Sequence, residues 1–142
     1  MTARISGGCQ CGAVRYDCSA EPVVAAQCHC RQCQKASGTG SMPMLAVPKD
    51  ALAITGEVTY FESKADSGND VKRGFCPTCG GRLFGLTSGM PDLMAVAVGS
   101  LDDASWFKPA MTVFTAKAHP WSPIDDRIPA FPGMPPTADA PS

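Results

Sequence analysis

Hydrophobic and polar positions alternate over short stretches of this chain, and no long segment repeats apolar residues at helical spacing. Val14, Tyr16 and Cys18 alternate with Arg15 and Asp17, which predicts a half-buried strand. Cys18 then faces the core, where a free cysteine behaves as a small apolar residue. Pro22 opens a second apolar run over residues 23–26. Residues 34–38 predict one helical turn closed by Gly38. Residues 41–47 read as extended, and Pro43 and Pro48 limit pairing, so an edge or bulged strand is expected. Residues 51–55 and 58–62 flank Gly56-Glu57 and predict a hairpin.

The polar stretch 63–70 contains Gly68-Asn69 and reads as a loop. Residues 82–86 predict a strand, and residues 93–99, apolar on both faces, predict a central one. Residues 112–117 form the last clear strand. From His119 onward the pattern fades, and seven of the 13 prolines lie there. Proline supplies no ladder donor and favours extended chain. Trp121, Ile124, Ile128 and Phe131 are expected to anchor this segment, with Trp121 as packing. The expectation is one mainly β domain over residues 1–133, built of several short coiled antiparallel sheets. Residues 134–142 form a proline-rich tail expected to be disordered.

Charge narrows the function classes. Formal net charge is −1 and charged residues make up 18% of the 142, so no basic surplus marks a nucleic-acid partner. The longest apolar run, residues 93–98, is too short to cross a membrane. The first eight residues carry no apolar signal core, so the expected location is the cytosol. Disulfides are rare there, and the eight cysteines read instead as metal ligands or reactive thiols.

Three thiols fall within Cys28-His29-Cys30-Arg31-Gln32-Cys33. Side chains two apart on an extended segment share a face, and a tight turn returns the third. The three sulfurs can converge on one ion while His29 points away. Zinc bound by thiolates takes four ligands with sulfur at about 2.3 Å, so this group is one short. Cys76-Pro77-Thr78-Cys79-Gly80 is a zinc knuckle, and Cys9-Gln10-Cys11 can supply its other half. Together they make a closed four-thiolate set stapling the start of the chain to its middle. Spacing alone does not fix which pairs share an ion.

An open three-thiolate site neutralises zinc too fully to activate water well. It suits a further sulfur ligand, because a coordinated thiol loses its proton and the thiolate is the nucleophile. Arg31, Lys35, Lys72 and Arg73 can offset the negative charge and hold a carboxylate-bearing thiol. For the proton that an alkoxide left by attack on an electrophilic carbon would need, Asp70, Asp92 and His119 are candidates by chemistry, and the catalytic residue stays unassigned.

The runs 7–16, 28–38 and 73–81, in this order, resemble the glutathione-dependent formaldehyde-activating enzyme family, which includes centromere protein V. The resemblance extends to Trp121. It implies a β-rich fold with a structural zinc on Cys9, Cys11, Cys76 and Cys79. It also implies a second zinc on Cys28, Cys30 and Cys33, and a carbon–sulfur lyase or synthase reaction joining glutathione to formaldehyde as S-hydroxymethylglutathione. Cys18 stands outside the family's cysteine pattern. The competing readings are a zinc module that carries glutathione or binds a protein without chemistry, and a redox sensor that loses metal from Cys28, Cys30 and Cys33. Oligomeric state is not legible.

Overall fold

A computed structural model describes residues 5–135. In chain order the strands are β1 (Ile5–Gly8), β2 (Arg15–Cys18), β3 (Val24–Cys28), β4 (Met42–Pro48), β5 (Leu52–Thr55), β6 (Thr59–Lys64), β7 (Asp70–Phe75), β8 (Arg82–Thr87), β9 (Leu93–Ala97) and β10 (Met111–Val113). One helix, α1 (Arg31–Ser37), follows β3 and ends at Gly38 in the left-handed conformation. The mainly β expectation holds. β1, β2 and β5 form one sheet, and the other seven strands form a second in the order β10-β3-β4-β9-β8-β7-β6.

The core lies between the two sheets. Ile5, Val14 and Tyr16 come from the small-sheet side, and Leu45, Val47, Leu83, Phe84, Met94 and Val96 from the large sheet. Alternation along β4 and β9 explains the large-sheet half. Leu45 pairs with Val96 and Val47 with Met94, so all four side chains reach one face. Each such burial contributes about 1.5–3 kcal/mol. Tyr16 meets Phe84 edge-to-face at 5.3 Å, joining the sheets. Cys18 packs partly buried against this core, as expected of an apolar thiol.

Several local expectations are corrected. Residues 42–48 form an interior strand between β3 and β9, not an edge. Val23 N–H donates to the Ala46 carbonyl, so by alternation the nitrogens of Pro43 and Pro48 face β9 and β3 respectively. The β9 ladder begins at Met44 and the β3 ladder ends at Ala46, so neither proline interrupts a pairing. β5 and β6 do not form a hairpin, since β5 pairs with β2 and β6 with β7. Gly56 instead carries the chain from one sheet to the other, with φ of 95°. A Cβ there would lie 2.1 Å from the Ala13 carbonyl oxygen. β7 begins at Asp70, within the edge of the predicted loop. β10 runs parallel to β3, so the large sheet is not wholly antiparallel. Of the predicted last strand only residues 112 and 113 are extended, within β10, and Thr115–Lys117 form a 3₁₀ turn.

A second, smaller core holds Cys28, Cys33, Met42, Ala97 and Val113, with Phe114, Phe131 and Met134 packed against it. Phe131 is the anchor expected of it, its N–H donating to the Thr112 carbonyl at 2.9 Å. Trp121 is not, being 69% exposed. The expected disordered tail lies, from residue 136 on, outside the described residues. No helix among the described residues is long and apolar enough to cross a membrane.

Candidate metal centre

Two tight turns bring the first four thiols together. Cys9 and Cys11 sit in the β1–β2 turn, where Cys9 N–H donates to the Val14 carbonyl at 3.1 Å. Cys76 and Cys79 sit in the β7–β8 turn, closed by Gly80 N–H on the Cys76 carbonyl at 2.8 Å. Gly80 has φ of 77°, which a side-chain-bearing residue adopts at a cost. All four sulfurs lie within 4.8 Å of one another. Sulfurs about 2.3 Å from one tetrahedral ion lie about 3.8 Å apart. Cys9 to Cys11 and Cys11 to Cys76 are each 3.7 Å, so the cage already has the size of a zinc site.

The surroundings favour thiolates. Val14 N–H points at the Cys9 sulfur at 3.3 Å, and Thr78 N–H at the Cys76 sulfur at 3.4 Å. The Val14 amide leads the forces that bring the Cys9 thiol down to about 6. The Cys11 and Gly81 amides likewise lower Cys79. Cys11, despite the Ala13 amide, is pushed up to about 11 by burial and by the neighbouring sulfurs. Four thiols this close cannot all ionise unless a cation sits among them.

The second group takes Cys28 from the end of β3, Cys30 from the N-cap of α1, and Cys33 from its first turn. Their sulfurs also lie within 4.8 Å of one another. Cys33 N–H donates to the Cys30 sulfur at 3.2 Å, so that sulfur caps the helix. Bonding to the Cys28 and Cys33 thiols holds Cys30 well below the ordinary thiol range, and the same crowding pushes Cys28 up. His29 supplies no ligand atom to the group. It is fully buried, and neither ring nitrogen has a hydrogen-bond partner.

Arg73, on β7, stands beside this group, its charge favouring the thiolates of Cys30 and Cys33. Its guanidinium donates to Gln32 Oε1 at 3.0 Å and to Ser63 Oγ at 3.3 Å. Gln32 in turn donates to the Lys64 carbonyl at 2.8 Å, which fixes its amide orientation. Arg82 lies close by, as its electrostatic coupling to Arg73 and Cys33 shows. Burial, then Arg73, pulls its pKa down to about 10.

Arg31 and Lys35 are not gathered with Arg73. They line a groove of about 290 Å³ on another face of α1, together with His119 and Trp121. His119 Nε2 lies 2.7 Å from Gln34 Oε1 and 3.1 Å from Arg31, and its ring stacks on Trp121 at 5.0 Å. Of the three proton-donor candidates, His119 alone adjoins α1. Asp70 is ion-paired with Lys64 at 2.5 Å, and Asp92 lies in the turn before β9. Lys72 is ion-paired with Glu62 at 3.1 Å.

Residues 4–117 match the family described as glutathione-dependent formaldehyde-activating enzyme. The chain belongs to this family. A crystal structure of a Rhodobacter sphaeroides protein shares the fold at a TM-score of 0.56 and 18% identity, covering 89% of this chain and 99% of that one. No curated protein matches the sequence. Family membership points to glutathione and formaldehyde chemistry, and the two cysteine groups could hold metal ions compatible with zinc.

For this member of the formaldehyde-activating family, sequence reasoning missed Arg82, Gln32 and the exposure of Trp121. Arg82 had one signal, a lone cation opening the apolar run 82–86 directly after the zinc knuckle. Gln32 had only its place between two of the cysteines.

Proposed function

We propose that this protein joins glutathione to formaldehyde as S-hydroxymethylglutathione and catalyses the reverse cleavage, acting as a carbon–sulfur lyase. The observation that carries the reading is the contrast between a closed group of four sulfurs and an open group of three with Arg73 beside it. Cys9, Cys11, Cys76 and Cys79 would hold a structural zinc, and Cys28, Cys30 and Cys33 a second. Zinc in the open group would offer its fourth position to a thiol and strip the thiol's proton. Arg73 offsets the excess negative charge of the three thiolates, and Arg31 and Lys35 hold carboxylates of the glutathione.

The chemistry is an addition. A sulfur lone pair forms the carbon–sulfur bond, the carbonyl π pair moves to oxygen, and that oxygen takes the proton the thiol lost. Nothing is oxidised or reduced. Cytosol suits such a protein, since free thiols persist there.

The test is a thermal melt with glutathione and with S-methylglutathione, paired with NMR detection of the hydroxymethyl adduct. Glutathione should raise the melting temperature by mass action, and its thioether should do so far less. Equal shifts would mean that sulfur is not the anchor. Binding without faster adduct formation would replace the enzyme by a glutathione-carrying module.

A further inference from the structure

Arg82 has no part in the reaction above, yet the fold keeps it half-buried beside the open group. It opens β8 directly after the turn that holds Cys76 and Cys79, and pairs with Phe75 across the ladder. The closed group thus fixes where this side chain starts. Its Nη1 donates to the Phe84 carbonyl and, at 3.5 Å, to the Gly74 carbonyl of β7. Gly85 leaves room for the head, since a Cβ there would lie 3.4 Å from Nη2. Nε is buried without a hydrogen-bond partner, and no carboxylate pairs with the guanidinium among the described residues. A cation buried in this way is destabilising unless an opposite charge meets it. Here the opposite charge is sulfur. Arg82 is coupled to Arg73 and Cys33, while Cys30 and Cys33 respond to each other, to Cys28 and to Arg73. No carboxylate stands among these main influences. The carboxylates of β6 and β7, Glu62 and Asp70, are taken by Lys72 and Lys64.

We propose that Arg82 is the second counter-charge of the open group and makes its fourth coordination position selective for a singly charged anion such as a thiolate. The inference rests on the open-site reading above. The charge balance carries it. Zinc with three thiolates bears one net negative charge, which repels a further thiolate. Arg73 brings the group to neutrality. Arg82 brings it to one net positive charge, and a bound thiolate then leaves the whole assembly neutral. A neutral ligand gains nothing from this second cation. The effect needs no contact between Arg82 and the ligand, because charges in half-buried surroundings are weakly screened. Arg82 is therefore a positioning residue for charge and not a proton donor.

The test uses zinc-loaded full-length protein and two small ligands, 2-mercaptoethanol and imidazole, titrated by calorimetry at about pH 8, where imidazole is neutral. 2-Mercaptoethanol has no carboxylate, so only its sulfur can respond to the charge. Arg82→Gln keeps an N–H for the Phe84 carbonyl and removes the charge, whereas Arg82→Lys keeps the charge and removes the fork. Arg82→Gln should weaken 2-mercaptoethanol about tenfold and leave imidazole within about twofold of the parent. Arg82→Lys should keep the parent's preference for thiol over imidazole within about threefold. A loss shared equally by both ligands would make Arg82 a matter of shape and overturn the proposal. So would an unchanged preference in Arg82→Gln, or a preference lost in a folded Arg82→Lys. Each of those results leaves the open-site reading standing. A parent that holds one zinc per chain and binds neither ligand overturns both.

Discussion

Replacing Cys76 by serine removes one corner of a cross-link between two sheets. Cys11 and Cys76 are 65 residues apart in the chain and their sulfurs 3.7 Å apart in space. Treated as a covalent staple, closing a loop of that length restricts the unfolded chain by about 4 kcal/mol. Cys76 is also fully buried in the main core, so a hydroxyl there adds an uncompensated polar group. For a chain of this size 4 kcal/mol corresponds to roughly 10 °C or more in melting temperature. Cys30→Ser differs in each respect. Its group closes a loop of only about five residues, for which the same relation gives about 2 kcal/mol. Cys30 also caps α1, and serine is a better cap than cysteine, which recovers part of that loss. We therefore expect Cys30→Ser to melt within a few degrees of the parent, retain about one zinc per chain and lose adduct formation. Cys76→Ser should melt at least about 10 °C lower or fail to fold. Purified variants, a thermal melt and a metal assay decide it. Equal destabilisation by the two serines would refute the division into a closed structural group and an open reactive one.

Gly56→Ala should cost about 2–4 kcal/mol, read by denaturant unfolding, because it combines a left-handed backbone with a clash on the Ala13 carbonyl. An unchanged midpoint would show that the crossing between sheets can shift. Tyr16→Phe should cost about 1 kcal/mol by removing the 2.6 Å bond to Ser100 Oγ. Burial pushes the Tyr16 phenol up to about 12 from 10, so its contribution is full below pH 10 and lost as pH rises toward 12. The variant should flatten that part of the alkaline stability curve. Arg73→Ala should leave zinc content unchanged and weaken glutathione at least about tenfold by calorimetry.

What the sequence made legible was chiefly what short spacing controls. The turns holding Cys9 with Cys11 and Cys76 with Cys79 follow from local geometry. The central position of residues 93–97 followed from their apolarity on both faces. Relations set by other strands were not legible. Pro43 and Pro48 argued for an edge, because the direction of each missing N–H depends on where two neighbouring ladders begin and end. Gly56-Glu57 looked like a hairpin turn, because the sequence does not say that its flanking strands belong to different sheets. Trp121 looked like an anchor, because indoles usually bury. Here His119, fixed by α1, holds it in the open.

The contact between Gln32 and Lys64 has a mechanical meaning. Gln32 lies in α1, the element after β3, whereas Lys64 ends β6, and β4, β9, β8 and β7 stand between those strands. Laid flat, five strand spacings would put them about 24 Å apart. One amide side chain spans the interval at 2.8 Å, so the large sheet is an open hoop and α1 is its clasp. The root of that clasp is the Cys28, Cys30 and Cys33 group. Loosening it frees β6, the outer strand, which carries Tyr60 and Phe61 on a rim unpaired among the described residues. Such a rim is a template for another chain. If the group holds a metal as proposed, its loss would then cost solubility as much as chemistry.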